Sequence, residues 1–292
     1  MGRNPKRNTN AIKIIFICDF YKSDLDNKGG AENNDSVLIS LLRDHGFSVE
    51  TKYSRDISPT YLENNKNKRF IIGNFIELSE SSKHSFEDKH YIIYEHDHKY
   101  VKTRDPSRFP NFKAPQSQLA NESFFKNAKC VVCLSNIQAE CVRKNLEITN
   151  VESIGCSLWS EEKLNFISSL SNSEKTKSLC IVNSNNTVKG TSKAIEYCRR
   201  SYYDYDLISS NDEEAFLSQM SSYKTLVYIP TVLESLCRLV VEAKMLNCGV
   251  ITKTQLLGAA SQDWWGLNGI ELIDTIRAQQ KTAFDIFLKH LK

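Results

Sequence analysis

The feature that most constrains the fold of this chain is a regular alternation of short apolar runs with longer helical patterns. Several of the apolar runs are almost continuously hydrophobic, as in strands that are buried on both faces. Such alternation predicts parallel sheets whose strands are joined by crossover helices. The predicted strands are 12–18, 47–51, 70–75, 91–94, 130–134, 151–154, 179–182, 205–208, 225–229 and 250–252. The predicted helices are 31–45, 117–127, 136–145, 191–200, 212–222, 234–247 and 269–291.

A polar segment at 168–177 is the best candidate for a linker. It divides the chain into an N-terminal domain, 1–167, with six predicted strands, and a smaller C-terminal domain, 178–292, with four. We therefore expect an α/β protein made of two facing domains with parallel sheets and a compact C-terminal half. Ligands would bind at the carboxyl ends of the strands, in the cleft between the domains.

Composition excludes several other classes of protein. The 292 residues include 38 basic and 35 acidic side chains, and a net charge of +3 is too small to indicate a nucleic-acid partner by itself. No apolar run approaches the roughly 20 residues of a membrane span. The nine cysteines lie mostly in apolar runs, which is typical of reduced thiols in a cytoplasmic protein. Cys130 and Cys133 lie three apart in a predicted strand, so they face opposite sides and cannot share a zinc ion.

The most specific segment follows the strand predicted at 225–229. The strand ends at Pro230, and Glu234 and Glu242 follow with seven residues between them. A helix predicted to begin near Glu234 would present free backbone N–H groups and a positive dipole end, which suit an anionic diphosphate. Gly249 can cap that helix before the next strand.

This segment resembles the signature of family-4-type retaining glycosyltransferases of the GT-B fold. Pro230 and Thr231 match the entry of the signature, and residues 249–251 (Gly-Val-Ile) match its exit. The resemblance implies that Glu234 contacts hydroxyls of the donor sugar and that Glu242 binds the ribose of the nucleotide. The competing interpretation is an ordinary amphipathic helix with two solvated glutamates.

Two glycines that follow the first strand also resemble this family. Residues 29–32 read Gly-Gly-Ala-Glu, as in the turn that lies close to the donor phosphate or the acceptor in the family. The resemblance implies that Gly29 and Gly30 belong to the donor site. Paired glycines permit positive φ and a close backbone approach at the start of a helix.

The strand at 91–94 runs into the polar residues 95–98, Glu-His-Asp-His. The resemblance implies that His96 and Asp97 contact the donor sugar near the reacting carbon. The residues alone leave two alternatives: a structural polar cluster, or a metal site. On an extended chain His96 and His98 would point the same way and could both bind a metal ion, although no third ligand is evident.

The family usually has Gly-Arg and then Lys-Gly after the first strand of the second domain, and both cations grip the diphosphate. Lys189 and Gly190 match the second pair, whereas Asn183 and Ser184 stand in the approximate place of the first. The resemblance implies that Lys189 binds the diphosphate. Arg238, in the first turn of the Glu234 helix, could replace the missing arginine, or it could be a surface or Glu-paired residue.

The loop 99–113 carries five basic residues against one acid, with aromatic residues between them. It could contact an anionic acceptor, including a nucleic-acid backbone, but a solvated loop is the favoured interpretation. The five are Lys99, Lys102, Arg104, Arg108 and Lys113.

The implied reaction is transfer of a hexose from a nucleotide-diphosphate sugar to a hydroxyl of a glycan or another acceptor, with retention at the anomeric carbon. No cofactor or metal is expected, because the helix N-terminus and basic side chains would neutralise the leaving diphosphate. Two alternatives remain open. One is a phage-type DNA-base glucosyltransferase, and the other is a metal-binding, hydrolase-like α/β protein that uses His96 and His98.

Overall fold

The computed structural model describes residues 12–24 and 29–292, which form two parallel sheets. The first sheet has the order β2-β1-β3-β4-β5-β6, and the second has the order β10-β9-β7-β8. The first comprises β1 Lys13–Cys18, β2 Ser48–Tyr53, β3 Arg69–Ile72, β4 His90–Glu95, β5 Cys130–Cys133 and β6 Val151–Ser153. The second comprises β7 Lys177–Val182, β8 Asp206–Ile208, β9 Tyr223–Tyr228 and β10 Gly249–Thr252. The predicted α/β architecture with parallel sheets is confirmed.

Ten α-helices occur in the described residues. They are α1 Gly30–Asp44, α2 Pro59–Asn64, α3 Glu80–His84, α4 Glu122–Asn127, α5 Asn136–Leu146, α6 Glu161–Leu170, α7 Thr191–Arg200, α8 Glu213–Ser221, α9 Arg238–Met245 and α10 Gly269–Leu291. The sequence patterns missed α2, α3 and α6. Each of these begins after a serine whose side chain accepts a hydrogen bond from the third helical N–H.

The first sheet is buried on both faces, as its apolar strands predicted. Cys130 belongs to the hydrophobic cluster on one face, and Cys133 belongs to the cluster on the other. The expectation that these two thiols cannot share a metal ion is therefore confirmed. All nine cysteines are buried and free.

The terminal helix α10 connects the two sheets. It packs against α9, and near its end Phe287 lies edge-on against Tyr94 of β4 with ring centroids 5.0 Å apart. The ring of His90 bonds the His290 carbonyl at 2.6 Å. The proposed linker, 168–177, contains the last turn of α6 and the first residue of β7. No helix in 12–24 or 29–292 has the length and apolar character needed to cross a bilayer.

Candidate functional site

Glu234 lies in an extended segment and not at the start of a helix. Its N–H donates to the Leu256 carbonyl at 2.9 Å, and its carbonyl accepts from the Gly258 N–H at 2.9 Å. Cys237 then takes φ +76°, and the helix begins at Arg238. The prediction of a helix from Glu234 is wrong, because the Glu234 backbone is bonded to a neighbouring segment as in a parallel sheet.

The Glu234 carboxylate joins a side chain of β9 to one of the turn that follows β7. Its Oε1 accepts from Lys189 Nζ at 3.1 Å and from the Tyr228 hydroxyl. Burial alone would lower the pKa of Lys189, but Glu234 raises it above its usual value. The Lys189 side chain is 37% exposed and that of Glu234 is 13% exposed, so this group reaches solvent. We call Lys189, Tyr228 and Glu234 the Glu234 cluster.

Gly190 fixes the position of Lys189. It has φ +67°, and a Cβ atom there would lie 1.7 Å from the carbonyl oxygen of Ile229. Only glycine fits both the left-handed backbone and this close approach. The loop that carries Lys189 therefore lies directly against the end of β9.

A second cluster surrounds Glu242 in the interior. Its Oε1 accepts from the Trp159 indole and from Lys163 Nζ, each at 2.8 Å, and lies 3.6 Å from an Arg238 nitrogen. Burial alone would raise the pKa of Glu242, but Lys163 and Arg238 hold it below its usual value. We call Trp159, Lys163, Arg238 and Glu242 the Glu242 cluster.

Arg238 connects this cluster to the loop after β6. One guanidinium nitrogen donates to Ser157 Oγ at 3.1 Å and to the Leu158 carbonyl at 2.6 Å. The guanidinium also lies 4.5 Å from the centre of the Trp159 ring. Arg238 is paired with Glu242 in this structure, and its role as a ligand of the diphosphate stays a prediction. Its position at the start of α9 also leaves it near the N-terminus of α1.

Gly29 and Gly30 form that N-terminus. Gly29 is the N-cap with φ −75°, and no side chain of the residues that the structure describes caps the helix. Neither glycine has positive φ, so the expected left-handed turn is not used here. The absence of a side chain at Gly30 instead lets Arg238 pack close to the backbone, since a Cβ there would lie 3.2 Å from Arg238 Cδ.

Asn34 extends this contact. Its amide donates to the Gly30 carbonyl at 2.9 Å, and its carbonyl oxygen accepts from Ser157 Oγ at 2.8 Å and the Leu158 N–H at 2.7 Å. The same loop residues bind Arg238. Asn34 therefore holds the start of α1 against the Glu242 cluster.

His96 follows β4 and pairs with an acid of α1. Its Nε2 lies 2.6 Å from Asp35 Oδ1, and both side chains are nearly buried. Gly73 makes room for this acid, because a Cβ there would lie 2.5 Å from Asp35 Oδ2. Within the described residues, the buried Nδ1 of His96 has no hydrogen-bond partner.

His96 is also tied to the Glu234 segment. Ser235 Oγ donates to the His96 carbonyl at 2.6 Å. Ser235 directly follows Glu234, so this hydrogen bond holds the Glu234 segment against the end of β4. The carboxyl ends of the two sheets meet at this point.

Asp97 and His98 face other partners. Asp97 pairs with Lys99 at 2.9 Å and with Arg104. Burial alone would raise the pKa of Asp97, but these cations hold it below its usual range. His98 Nδ1 lies 3.0 Å from the Tyr100 hydroxyl in the core, and burial lowers the pKa of His98 to about 4.

The two histidines therefore do not form a metal site in the way the sequence alternative required. The chain bends after β4, so the alternation of an extended strand no longer applies at 96–98. His96 turns to Asp35 and His98 turns to Tyr100. Neither belongs to a group of three metal-binding side chains among the described residues.

The basic side chains of the loop 99–113 all bond protein groups. Lys99 and Arg104 pair with Asp97, Lys102 donates to the Ser117 carbonyl, Arg108 lies 3.5 Å from Asp105, and Lys113 lies 3.0 Å from Glu147. The loop is tied to the site, since the Leu233 N–H donates to Asp105 Oδ1 at 3.2 Å.

A cavity of about 710 Å³ borders the Glu242 cluster. It is bounded by α1, α6, α8 and α10, and Trp159, Lys163 and Arg238 form part of its wall. Five residues important to the geometry carried no recognisable sequence signal: Asn34, Asp35, Trp159, Lys163 and Tyr228. For Asp35, Trp159 and Lys163 the partners are distant in the sequence, so no local spacing could show them.

No protein-family model and no curated protein matches the chain. Solved structures with the same fold exist. The lipopolysaccharide outer core galactosyltransferase WaaB aligns with a TM-score of 0.55 at 11% identity, over 94% of this chain and 90% of that one. A glycosyltransferase from Rickettsia africae aligns at 0.50 with 12% identity, over 97% and 95%. Anabaena HepE in complex with UDP and glucose aligns at 0.48 with 12% identity, over 93% and 100%.

The alignments to WaaB and the Rickettsia protein define the fold class. Both cover at least 90% of each chain. The chain has the GT-B fold of two Rossmann-like domains, as its sequence predicted.

Proposed function

We propose that the protein is a glycosyltransferase that moves a hexose from a nucleotide-diphosphate sugar to an acceptor hydroxyl, with retention at the anomeric carbon. The observation that carries this proposal is the meeting of the two clusters with His96 and the start of α1. Cations and acids from five separate chain segments lie around the carboxyl ends of the two sheets. Such a position is where open α/β proteins bind ligands.

In this proposal the diphosphate lies between Lys189 and Arg238. The uncapped N-terminus of α1 at Gly29 and Gly30 adds backbone N–H groups to the same region. These positive groups stabilise the charge that develops on the leaving diphosphate, so we assign neither a metal nor a cofactor to the reaction.

The acids position the donor in this proposal. Glu234 accepts sugar hydroxyls beside Lys189, and Glu242 accepts the ribose hydroxyls beside Trp159. His96 offers its Nδ1 to the sugar, and Asp35 fixes the ring through Nε2. Asp97, held by Lys99 and Arg104, contributes to the shape of the sugar site. Correct placement of the reactants supplies a large part of the rate enhancement.

The acceptor we favour is a glycan or another small hydroxyl compound and not DNA. Duplex DNA needs several free cations to replace its counterions. The five basic side chains of 99–113 are already bonded to protein groups, which reduces their attraction for phosphate. WaaB, whose printed name describes a galactosyltransferase of the lipopolysaccharide outer core, is consistent with a hexose donor and a glycan acceptor.

A thermal-shift screen against UDP-, GDP- and ADP-linked sugars tests the proposal. One class should raise the melting temperature of the protein, and turnover of that donor should release the nucleoside diphosphate. Lys189→Ala and Glu242→Ala should abolish the shift. Lys193→Ala is the matched control, because Lys193 is an exposed lysine of α7 that pairs only with nearby Glu196. If no nucleotide sugar shifted the melting temperature, the donor-site assignment would fail.

The stereochemistry can be tested once a donor is known. Early proton NMR spectra of the transfer product should show the same anomeric configuration as the donor. An inverted product would refute retention but would leave the transferase proposal intact. A steep salt dependence of binding to duplex DNA would instead support the DNA-modifying alternative.

A further inference from the structure

Three metal-binding side chains meet at the edge of the first sheet where α10 ends. They are Cys130 at the start of β5, Glu152 in β6 and His290 in α10. One ligand atom from each lies within 4.8 Å of the other two. Within residues 12–24 and 29–292, no other group of three or more such side chains lies this close together.

The three ligands suit zinc. A thiolate, an imidazole and a carboxylate form the mixed set that Zn²⁺ accepts in tetrahedral sites. With bonds of about 2.0–2.3 Å, tetrahedral ligand atoms lie roughly 3.5 Å apart. The three ligand atoms lie within 4.8 Å of one another, which is close to that spacing. His290 Nε2 and Glu152 Oε1 are 2.6 Å apart, so these two atoms would separate by about 1 Å to admit the ion.

The position of the group allows an ion to enter. Cys130 is fully buried, whereas the side chains of Glu152 and His290 are 31% and 20% exposed. A zinc ion can therefore approach from the surface and keep a water molecule as its fourth ligand. Cys130 would lie beneath the ion and the two other ligands beside it.

Lys289 competes for the same carboxylate. Its Nζ lies 2.7 Å from Glu152 Oε1, but its side chain is 64% exposed and can turn into solvent. In the metal-free protein, the Lys289 ammonium pairs with Glu152, and a ring nitrogen of His290 lies within hydrogen-bond distance of the same oxygen. Zinc would displace the ammonium and take over that role.

We propose that Cys130, Glu152 and His290 bind one Zn²⁺ ion, which clamps the end of α10 to β5 and β6. Helix α10 belongs to the second half of the chain and packs on α9. The ion would therefore link the second half to the first sheet. Cys130 begins its strand, whereas the candidate donor site lies beyond the carboxyl ends of the strands. The zinc site is therefore structural and independent of sugar transfer.

Cobalt titration of the full-length protein tests this site. One equivalent of Co²⁺ should produce visible bands of a tetrahedral site and a near-ultraviolet band from sulfur-to-cobalt charge transfer. Cys130→Ser should remove the charge-transfer band. Cys133→Ser is the matched control, because Cys133 lies on the same strand but on the opposite face, and it should keep the band. A charge-transfer band that survives in Cys130→Ser, or no stoichiometric binding, would overturn the proposal.

Zinc competition with a chromogenic chelator tests the other two ligands. His290→Ala should weaken zinc binding by at least about 100-fold, since even the loss of an outer-shell partner costs 10- to 100-fold. Lys289→Ala should bind zinc several-fold more tightly, because it removes the competing ammonium. Unchanged zinc affinity in Glu152→Gln would show that Glu152 is only a partner of surface cations and would overturn its role as a ligand. Circular dichroism of each variant checks that the fold is retained.

Discussion

Glu234 and Glu242 belong to the same sequence signature, yet the structure gives them different surroundings. Glu234 lies in an extended segment and pairs with one lysine that is 37% exposed. Glu242 lies inside a helix and is surrounded by an indole and two nearly buried cations, Lys163 and Arg238. The Glu234 cluster uses residues of the second half alone, whereas Trp159 and Lys163 come from the other side of the proposed linker.

The difference separates two kinds of contribution to one site. A buried acid between two cations is expensive to disturb, because its removal leaves buried Arg238 without a carboxylate, although Lys163 keeps Glu213. Glu234 is also largely buried, but its lysine is 37% exposed, so this acid can exchange the lysine for a ligand at lower cost. We therefore expect the Glu242 cluster to control mainly stability and the shape of the site, and the Glu234 cluster to control mainly the reaction.

The largest expected effect is the loss of stability in Glu242→Ala. The substitution leaves buried Arg238 without a carboxylate and Lys163 with Glu213 alone, and we expect the free energy of unfolding to fall by about 3 kcal/mol. Urea denaturation measures this loss. The matched control is Glu196→Ala, which also removes a glutamate with two basic partners, Lys193 and Arg200, but on the surface of α7.

The control should cost less than about 1 kcal/mol, because exposed ion pairs contribute little. Equal losses in the two variants would contradict the contrast between the clusters. Donor binding by Glu242→Ala is measured at a temperature where the variant is still folded, so that instability is not mistaken for loss of a ligand contact.

Glu234→Gln should have the opposite profile. The amide still accepts a hydrogen bond from Tyr228 but no longer carries a charge beside Lys189. We expect the rate of sugar transfer to fall about 100-fold, or about 2.7 kcal/mol in the barrier. Unfolding free energy should change by less than about 1 kcal/mol. A stability loss as large as that of Glu242→Ala, with normal turnover, would reverse our assignment of the two clusters.

Much of the fold could be read from the sequence because strand burial leaves a local trace. All ten strands were predicted within a few residues, most of them as short apolar runs, although β2 is largely polar. The missed helices have weak apolar patterns, and their signal is the capping serine: Ser58, Ser79 and Ser160 each precede one of them.

The site was only partly predictable. Glu234, Glu242 and Lys189 were singled out because the signature spacing is local, and their roles as donor ligands stay predictions. The start of α9 was misplaced, because the backbone of Glu234 is bonded to residues more than 20 positions away. Asp35 could not be found from the sequence, since only the packing of α1 against β4 brings it to His96.

The Glu242 cluster should also make stability depend on pH. The pKa of Glu242 is lowered in the folded protein, so its contribution is present above the usual carboxyl pKa and is lost as the pH falls below it. Unfolding free energies between about pH 6 and about pH 3.5 should therefore decline less steeply in Glu242→Gln than in the wild type.

Buried His98 also makes the free energy of unfolding fall as the pH falls. Its pKa of about 4 lies below the ordinary value of 6.5, so its contribution is lost as the pH falls through that interval. Because both proteins contain His98, its effect cancels in the comparison. Parallel pH profiles would show that Glu242 is not held ionised by Lys163 and Arg238.

The smallest expected effect tests where the Glu242 cluster meets the donor. In Gly30→Ala the new Cβ would lie 3.2 Å from Arg238 Cδ, so the arginine must move by a few tenths of an ångström. Alanine in the first turn of α1 also favours the helix by up to about 1 kcal/mol. We therefore expect stability to stay constant or to rise slightly, while affinity for the nucleoside diphosphate falls a few-fold in calorimetric titrations.

Gly266→Ala is the control for this substitution, because no atom lies within 4 Å of a Cβ built there. It should leave the affinity unchanged. A selective loss in Gly30→Ala would mean that Arg238 contacts the diphosphate while it serves the interior cluster. Unchanged affinity in both variants would assign the diphosphate to Lys189 alone and would make the Glu242 cluster purely structural.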